Sequence, residues 1–309
     1  MYKENITEKF RQLQDRITTA LELTDGKALF EEDNWLRDGG GGGRSRVTSN
    51  GNIIEKGGVQ FSAVQGVLPD KIKSKLQVTE ANFFATGVSL IIHPKNPHVP
   101  IVHMNVRYFE LEDGTFWFGG GIDLTPIYID KEEARNFHLN LKEVCDRHHP
   151  DFYFKFKKWA DDYFYLPFRE ETRGVGGIFF DRLNENNGLS KEQIFAFVMD
   201  VGNLFAPLYC QIMAKNANQS FSEKEKDWQL HRRGRYVEFN LVLDKGTKFG
   251  LDTKGRTESI LVSMPPEVKW SYQYPIDEGS KEKKTLDLLK KDIDWISSIE
   301  HFSANKILS

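Results

Sequence analysis

Two adjacent predicted strands concentrate side chains that can bind anions or move protons. Because successive side chains of a strand point to opposite faces, His103, Asn105 and Arg107 share one face of the second strand. Ser89 and His93 share one face of the strand before it. On an ordinary sheet such a polar face is simply the solvent face, but Lys and Glu dominate ordinary solvent faces. A binding face is therefore the competing interpretation.

A carboxylate ends a second alternating stretch, residues 236–243. The alternation predicts a strand whose polar face runs from Tyr236 to Asp244. If this strand belongs to the same sheet, an Asp opposite His and Arg forms an acid–base set. A surface ion pair is the alternative.

Arginines recur beside glycines, which allow a close backbone approach to a ligand. Arg forms bidentate pairs with carboxylates and phosphates, so the pattern predicts an anionic ligand with several acid groups. RNA is the competing ligand. The net charge of −3 and the lack of any RNA-binding signature argue against nucleic acid. The residues in question are Arg44, Arg46, Arg173, Arg233, Arg235 and Arg256.

Histidines raise the question of a metal. His93, His98 and His103 lie close in sequence, and His138 follows on a predicted helix. Their spacing is not HExxH, and no dense carboxylate cluster accompanies them. Imidazole can equally donate a hydrogen bond or carry a proton.

The elements that must position these residues are strands interspersed with longer helices, which is typical of an α+β fold with a mainly antiparallel sheet. The pattern shows no linker and no repeat, so we expect one domain over residues 1–309. The five glycines from Gly39 predict a mobile loop over residues 38–46. Helices are predicted over 6–23, 131–148, 152–165, 190–215, 222–228 and 281–298, and strands over 53–67, 86–93, 101–111, 115–118, 174–181, 236–243 and 259–264.

Composition excludes several classes of protein. The chain has 309 residues, and 13% aromatic residues indicate a globular protein. Its two cysteines form no CxxC, which excludes thiolate zinc sites and disulfide scaffolds. The sequence has no credible nucleotide-binding motif. With no signal-peptide pattern and no run of 18 apolar residues, we expect no transmembrane segment and a cytoplasmic location.

Several long motifs, in order over most of the chain, resemble the oxygen-dependent coproporphyrinogen III oxidase family. They are GGGGRSRV from Gly40, SLIIHPKNPHVPIVHMNVRYF from Ser89, FGGGIDLTPIY from Phe118, KKWADDYFYLPFREETRGVGGIFFD from Lys157, RRGRYVEFNLVLDKGTKFGL from Arg232 and GRTESILVSMPP from Gly255.

The resemblance implies a large twisted antiparallel sheet with helices on both faces, in a homodimer formed through the region from Tyr236 to Ser271. It implies oxidative decarboxylation of the ring A and ring B propionates of coproporphyrinogen III to vinyls. Oxygen is the co-substrate, and protoporphyrinogen IX, carbon dioxide and hydrogen peroxide are the products. No organic cofactor is implied. A tetrapyrrole-binding protein without catalysis is the alternative.

The resemblance also implies site residues. His103 matches the proton donor, and Asp244 matches a carboxylate that engages the pyrrole nitrogens. Lys254 stands where glycine is common and could add a carboxylate contact. The positions that match substrate-binding residues are Ser89, Asn105, Val106, Arg107, Gly255 and Arg256.

A divalent metal such as manganese is implied for some bacterial members, held by four histidines. Three of these positions match His93, His103 and His138. The fourth falls at Phe168, whose side chain cannot ligate a metal. We therefore expect a metal site here to be incomplete.

Overall fold

A seven-stranded antiparallel sheet forms the centre of the protein, seen in a computed structural model that describes residues 2–68, 73–74, 79, 82–252 and 255–297. Six strands follow one another as a meander, and the seventh joins after two helices, in the order β1-β2-β3-β4-β5-β6-β9. Two short strands form a separate pair, β7–β8. The bounds are β1 Glu31–Leu36, β2 Gly41–Ser49, β3 Ile54–Val67, β4 Asn82–Pro94, β5 Ile101–Leu111, β6 Phe116–Thr125, β7 Tyr165–Leu166, β8 Glu171–Thr172 and β9 Gly176–Leu183.

Helices cover both faces of this sheet, which confirms the predicted α+β fold. The apolar side chains of β4 and β5, such as Leu90 and Met104, pack against α1 and α4 in the main core. On the opposite face, Ile91 and Ile101 pack against Trp228 and Tyr236 of α5. The helices are α1 Lys3–Asp25, α2 Lys131–His148, α3 Phe152–Tyr163, α4 Lys191–Asn216, α5 Glu223–Glu238, α6 Lys245–Asp252, α7 Thr257–Leu261 and α8 Lys281–Asp287.

Helix α4 is long and apolar enough, by length and composition, to cross a membrane, and among the described residues it is the one helix that is. Half of its most apolar 18-residue window is buried inside the protein. Val198, Val201 and Phe205 pack in the main core against the sheet. Their burial identifies α4 as a core helix of the fold.

The strand predicted over residues 236–243 is wrong. Helix α5 continues to Glu238, and a π-helical turn, Phe239–Leu243, follows it. The side chains of Tyr236 and Phe239, which would point to opposite faces of a strand, both pack on the guanidinium of Arg173. This i, i+3 relation is helical, and the buried cation therefore selects the helix.

The mobile glycine loop predicted over residues 38–46 is also wrong in extent. Only a tight turn separates β1 from β2, closed by a hydrogen bond from the Gly40 amide to the Arg37 carbonyl. Strand β2 begins at Gly41, and Arg44 and Ser45 are buried within it. Gly43 lies against the ring of Trp35 so closely that a Cβ atom would overlap it, which explains a glycine in a paired strand.

Two predictions near the end of the described chain also need correction. Residues 259–264 form no strand, because the short helix α7 occupies the first half of that stretch and turns occupy the rest. The closing helix predicted over 281–298 ends at Asp287 and continues as turns, and Ser298 lies outside the described residues.

Candidate active site

The polar face of the sheet carries the predicted residues Ser89, His103, Asn105 and Arg107 in rows across neighbouring strands. We call this face the floor of the site. Ser89 pairs in register with Asn105, which pairs with Gly121 of β6. Neighbouring strands lie about 4.8 Å apart, so these side chains are close neighbours across the sheet. His103 and Arg107 flank Asn105 on the same face, as predicted from strand alternation.

His103 forms one end of a buried hydrogen-bonded chain. Its Nδ1 donates to Oδ1 of Asp123 at 2.9 Å, because a carboxylate can only accept. Arg173 donates through Nη2 to both oxygens of Asp123, at 2.8 and 2.7 Å, and through Nη1 to Asn240 at 2.9 Å. With Nδ1 engaged in this way, Nε2 is the ring nitrogen left to exchange a proton with a ligand on the floor.

The Asp123–Arg173 pair is almost completely buried, with 2% of each side chain exposed. Burial by itself raises the pKa of the Asp123 carboxyl, but the charge of Arg173 and the hydrogen bond from His103 outweigh it. The pKa therefore lies below its usual range. The Arg173 guanidinium also lies over the rings of Phe164, Tyr236 and Phe239, at 4.3, 4.7 and 4.6 Å.

Arg107 is held at the other end of the floor but stays open to solvent. It donates to Asn105 at 2.6 Å and to Asp181 at 3.0 Å, and 41% of its side chain is exposed. The Phe179 ring lies 6.0 Å from its guanidinium carbon. Such an arginine can exchange an internal partner for a carboxylate of a ligand.

Asp244 reaches this region by a different route from the predicted strand. It follows the π-helical turn, and its Oδ2 accepts the Thr247 amide at 2.7 Å at the start of α6. Its Oδ1 accepts the Tyr163 hydroxyl at 2.8 Å. The Tyr163 ring stacks on Phe179, with ring centroids 4.2 Å apart. The rings of Tyr163 and Phe179 thus connect the Asp244 carboxylate to the part of the floor near Arg107.

Arg256 lies on the far side of the floor, near β1 and β2. It forms an ion pair with Asp33 and lies 3.4 Å from the Ser45 hydroxyl. A cavity of about 180 Å³ opens between these residues, Gln60 and α7. The Gly255 amide donates to the Gly250 carbonyl at 2.8 Å. Lys254 lies outside the described residues.

Val106 has no side chain on the floor. It is fully buried on the opposite, helix-covered face. Because its side chain points away from the floor, only the Val106 backbone, which lies between β4 and β6, is near a ligand on the polar face.

Most of the arginines beside glycines bind carboxylates of the chain itself. Arg44 pairs with Asp15, Arg233 with Glu55 and Arg235 with Glu238. An arginine beside a glycine in this chain therefore forms an internal ion pair more often than it indicates a ligand contact. Arg107 was singled out by strand alternation, and it is the more open arginine of the floor.

The three histidines that match metal-binding positions are not brought together. Both ring nitrogens of His138 are engaged, by the Tyr153 hydroxyl and the Val175 carbonyl. His93 contacts the Ser263 carbonyl through Nε2. Burial lowers the pKa of His93 and that of His138 to about 3, so both rings are neutral.

In the part of the chain that the structure describes, no three His, Cys, Asp or Glu side chains are grouped to hold a metal. Phe168 is 52% exposed in the turn between β7 and β8. The described residues therefore supply no ligand set that fits a resident metal ion.

Three residues of the site were missed in the sequence. Asp123 could have been found by counting outward from the turn at 112–114, because the hairpin register places it opposite His103. Asn240 and Tyr163 gave no such signal, since their positions depend on the helical end of α5 and on α3.

Comparison with known proteins covers nearly the whole chain. Residues 5–295 match the family described as coproporphyrinogen III oxidase. An oxygen-dependent coproporphyrinogen-III oxidase of Prochlorococcus marinus strain AS9601 is 47% identical, over 93% of this chain and 91% of its own length. A relative of the same name in Synechococcus sp. strain CC9605 is 46% identical, over 92% and 85%. Coproporphyrinogen-III oxidase 1, chloroplastic, of Arabidopsis thaliana is 46% identical, over 93% and 77%.

Proposed function

This chain belongs to the coproporphyrinogen III oxidase family, and from that premise we propose how its residues carry out the reaction. It is an oxygen-dependent enzyme of porphyrin biosynthesis that acts on coproporphyrinogen III. The observation that carries the residue assignment is the Arg173–Asp123–His103 chain, which presents one proton-transferring nitrogen to a floor lined by Arg107 and Asn105.

The reaction sets what these residues must do. A propionate carboxylate that becomes a vinyl loses carbon dioxide together with a proton and two electrons. Molecular oxygen takes up the two electrons and two protons to form hydrogen peroxide, so one proton is needed beyond the one that the substrate releases. The protein must therefore bind carboxylates, supply a proton for each propionate and hold the macrocycle in a fixed orientation.

The floor suits a large ring that carries several acid groups. Glycines at positions 87, 119 and 121 have no side chains that would project over the centre of the floor between Ser89, Asn105 and Arg107. Arg107 at one end and Arg256 across the sheet can each bind a propionate. Each already holds a carboxylate of the chain, Asp181 or Asp33, and a propionate would displace or share that partner.

His103 and Asp244 act on different parts of the substrate. His103 delivers the proton, because Asp123 and Arg173 hold its ring in one tautomer and one orientation. Asp244 faces the pyrrole N–H groups and stabilises positive charge that develops on the ring. A carboxylate there accepts hydrogen bonds from the pyrroles without donating any.

We expect oxygen-dependent turnover without any organic cofactor or added metal. Purified protein, treated with EDTA, converts coproporphyrinogen III to protoporphyrinogen IX in air, and conversion stops under argon. Product is measured as protoporphyrin after oxidation. Recovery only after addition of manganese would contradict the metal-free proposal. Tight tetrapyrrole binding without product would support the non-catalytic alternative, which no present observation favours.

We also propose a cytoplasmic homodimer formed through the region from Tyr236 to Ser271. The described residues of this region, 236–252 and 255–271, include no edge strand, so they cannot pair two chains by strand addition. What supports the interface is exposed apolar surface on the π-helical turn and α6. Leu241, Val242, Phe249 and Leu251 are 46%, 50%, 40% and 42% exposed.

Val242→Glu is expected to weaken the dimer at least tenfold, because a charge would be buried in an apolar contact. Sedimentation equilibrium measures the dissociation constant. Leu23→Glu is the matched control, since Leu23 is 79% exposed on α1, which packs against the opposite face of the sheet. A wild-type protein that sediments as a monomer would refute the proposed dimer.

A further inference from the structure

We propose that Tyr163 is a positioning residue that aims the Asp244 carboxylate at the substrate. The inference rests on the proposed role of Asp244 and adds a residue to it. Two hydrogen bonds join the phenol to the start of α6. The Tyr163 hydroxyl donates to Oδ1 of Asp244 at 2.8 Å and accepts the Lys245 amide at 3.2 Å. One hydroxyl therefore binds both the side chain of Asp244 and the backbone just after it.

Tyr163 links the segment that carries Asp244 to the body of the protein. The segment lies between a π-helical turn and the short helix α6, and Leu241 and Val242 just before it are half exposed. The Thr247 amide fixes one carboxylate oxygen to the helix itself. Tyr163 fixes the other oxygen to the body of the protein, because α3 packs against β9 of the sheet.

Tyr163 is itself rigidly held, as a positioning residue must be. Its ring stacks on Phe179 with an interplanar angle of 12° and meets Phe164 and Phe239 edge-on. Phe179 pairs in register with Gly121, which pairs with Asn105. These contacts fix the position of the Asp244 carboxylate relative to the row of the floor that holds the substrate-binding side chains.

The test is Tyr163→Phe, which keeps the ring stack and removes the hydroxyl. Misorientation of a reacting group by about 1 Å can cost a hundredfold, so we expect kcat to fall ten- to a hundredfold with KM changed less than threefold. A fall in kcat at nearly constant KM is the sign of an interaction that acts in the transition state rather than in substrate binding.

Two further variants separate positioning from packing. Tyr209→Phe removes a buried hydroxyl that donates to the Pro100 carbonyl at 2.8 Å in the core, and it should leave kcat and KM unchanged. In the double variant Tyr163→Phe/Asp244→Asn, kcat should equal that of Asp244→Asn, because Tyr163 acts through Asp244. Thermal unfolding of each variant shows that the fold is retained.

The outcomes distinguish this inference from the proposal beneath it. If Asp244→Asn is impaired but Tyr163→Phe has the wild-type kcat, the positioning role is refuted and the role of Asp244 stands. Additive losses in the double variant also refute it. If Asp244→Asn itself turns over normally, the proposed role of Asp244 fails, while turnover of the wild type still establishes the enzyme.

Discussion

Asp123→Asn is expected to lower the free energy of unfolding by about 3–5 kcal/mol. Arg173, the partner of Asp123, has 2% of its side chain exposed, so the substitution leaves a buried charge without its counter-ion. The neutral amide keeps the shape of the side chain but cannot balance the guanidinium. Urea unfolding, followed by tryptophan fluorescence, measures the loss.

Asp181→Asn is the matched control for this prediction. Asp181 also pairs with an arginine of the floor, but 34% of its side chain and 41% of that of Arg107 are exposed. Solvent screens such a pair, and we expect a loss below about 1 kcal/mol. Equal losses for the two variants would show that burial of the Asp123–Arg173 pair has no energetic consequence. The variant Asp123→Asn/Arg173→Met should recover part of the stability, because it removes both charges.

The part of the fold with local sequence signals was predictable. Strand β5 has the predicted bounds, and the helices at 131–148 and 191–216 match closely, because alternation, capping residues and prolines all agree there. The shared face of His103, Asn105 and Arg107 followed from alternation alone. These features depend on residues close in sequence.

The end of α5 was not predictable in the same way. Val237, Phe239, Leu241 and Leu243 alternate as a strand would, yet the segment begins as helix. The decisive partner is Arg173, more than sixty residues earlier, which requires Tyr236 and Phe239 on one side. A single sequence does not show which distant cation a ring will cover.

The sequence placed the sheet residues of the site on one face, but it did not reveal the residues that hold them in position. Asp244 was singled out from a strand assignment that was wrong, and its role toward the pyrrole nitrogens came from the resemblance. Arg173 was singled out as a ligand for an anion, but its anion is Asp123 of the same chain. Long-range pairs of this kind decide which charged residues remain open to substrate, and composition and spacing do not reveal them.

His103→Gln is expected to reduce kcat by a factor of about 10² to 10⁴, with KM changed less than threefold. Each propionate consumes a proton, and the amide of Gln can donate a hydrogen bond but cannot transfer a proton at neutral pH. Single-turnover measurement of protoporphyrin formation separates the chemical step from product release.

His148→Gln is the matched control, because His148 also pairs with a carboxylate, Asp200, at 2.9 Å with a similarly buried side chain. That pair lies at the end of α2, away from the floor, and its loss should leave kcat unchanged. Asp123 orients His103 but does not carry the proton. The variant Asp123→Asn should therefore retain more activity than His103→Gln, because the His103 imidazole is still present although it is no longer held in one orientation. The reverse order would assign the proton to a group other than His103.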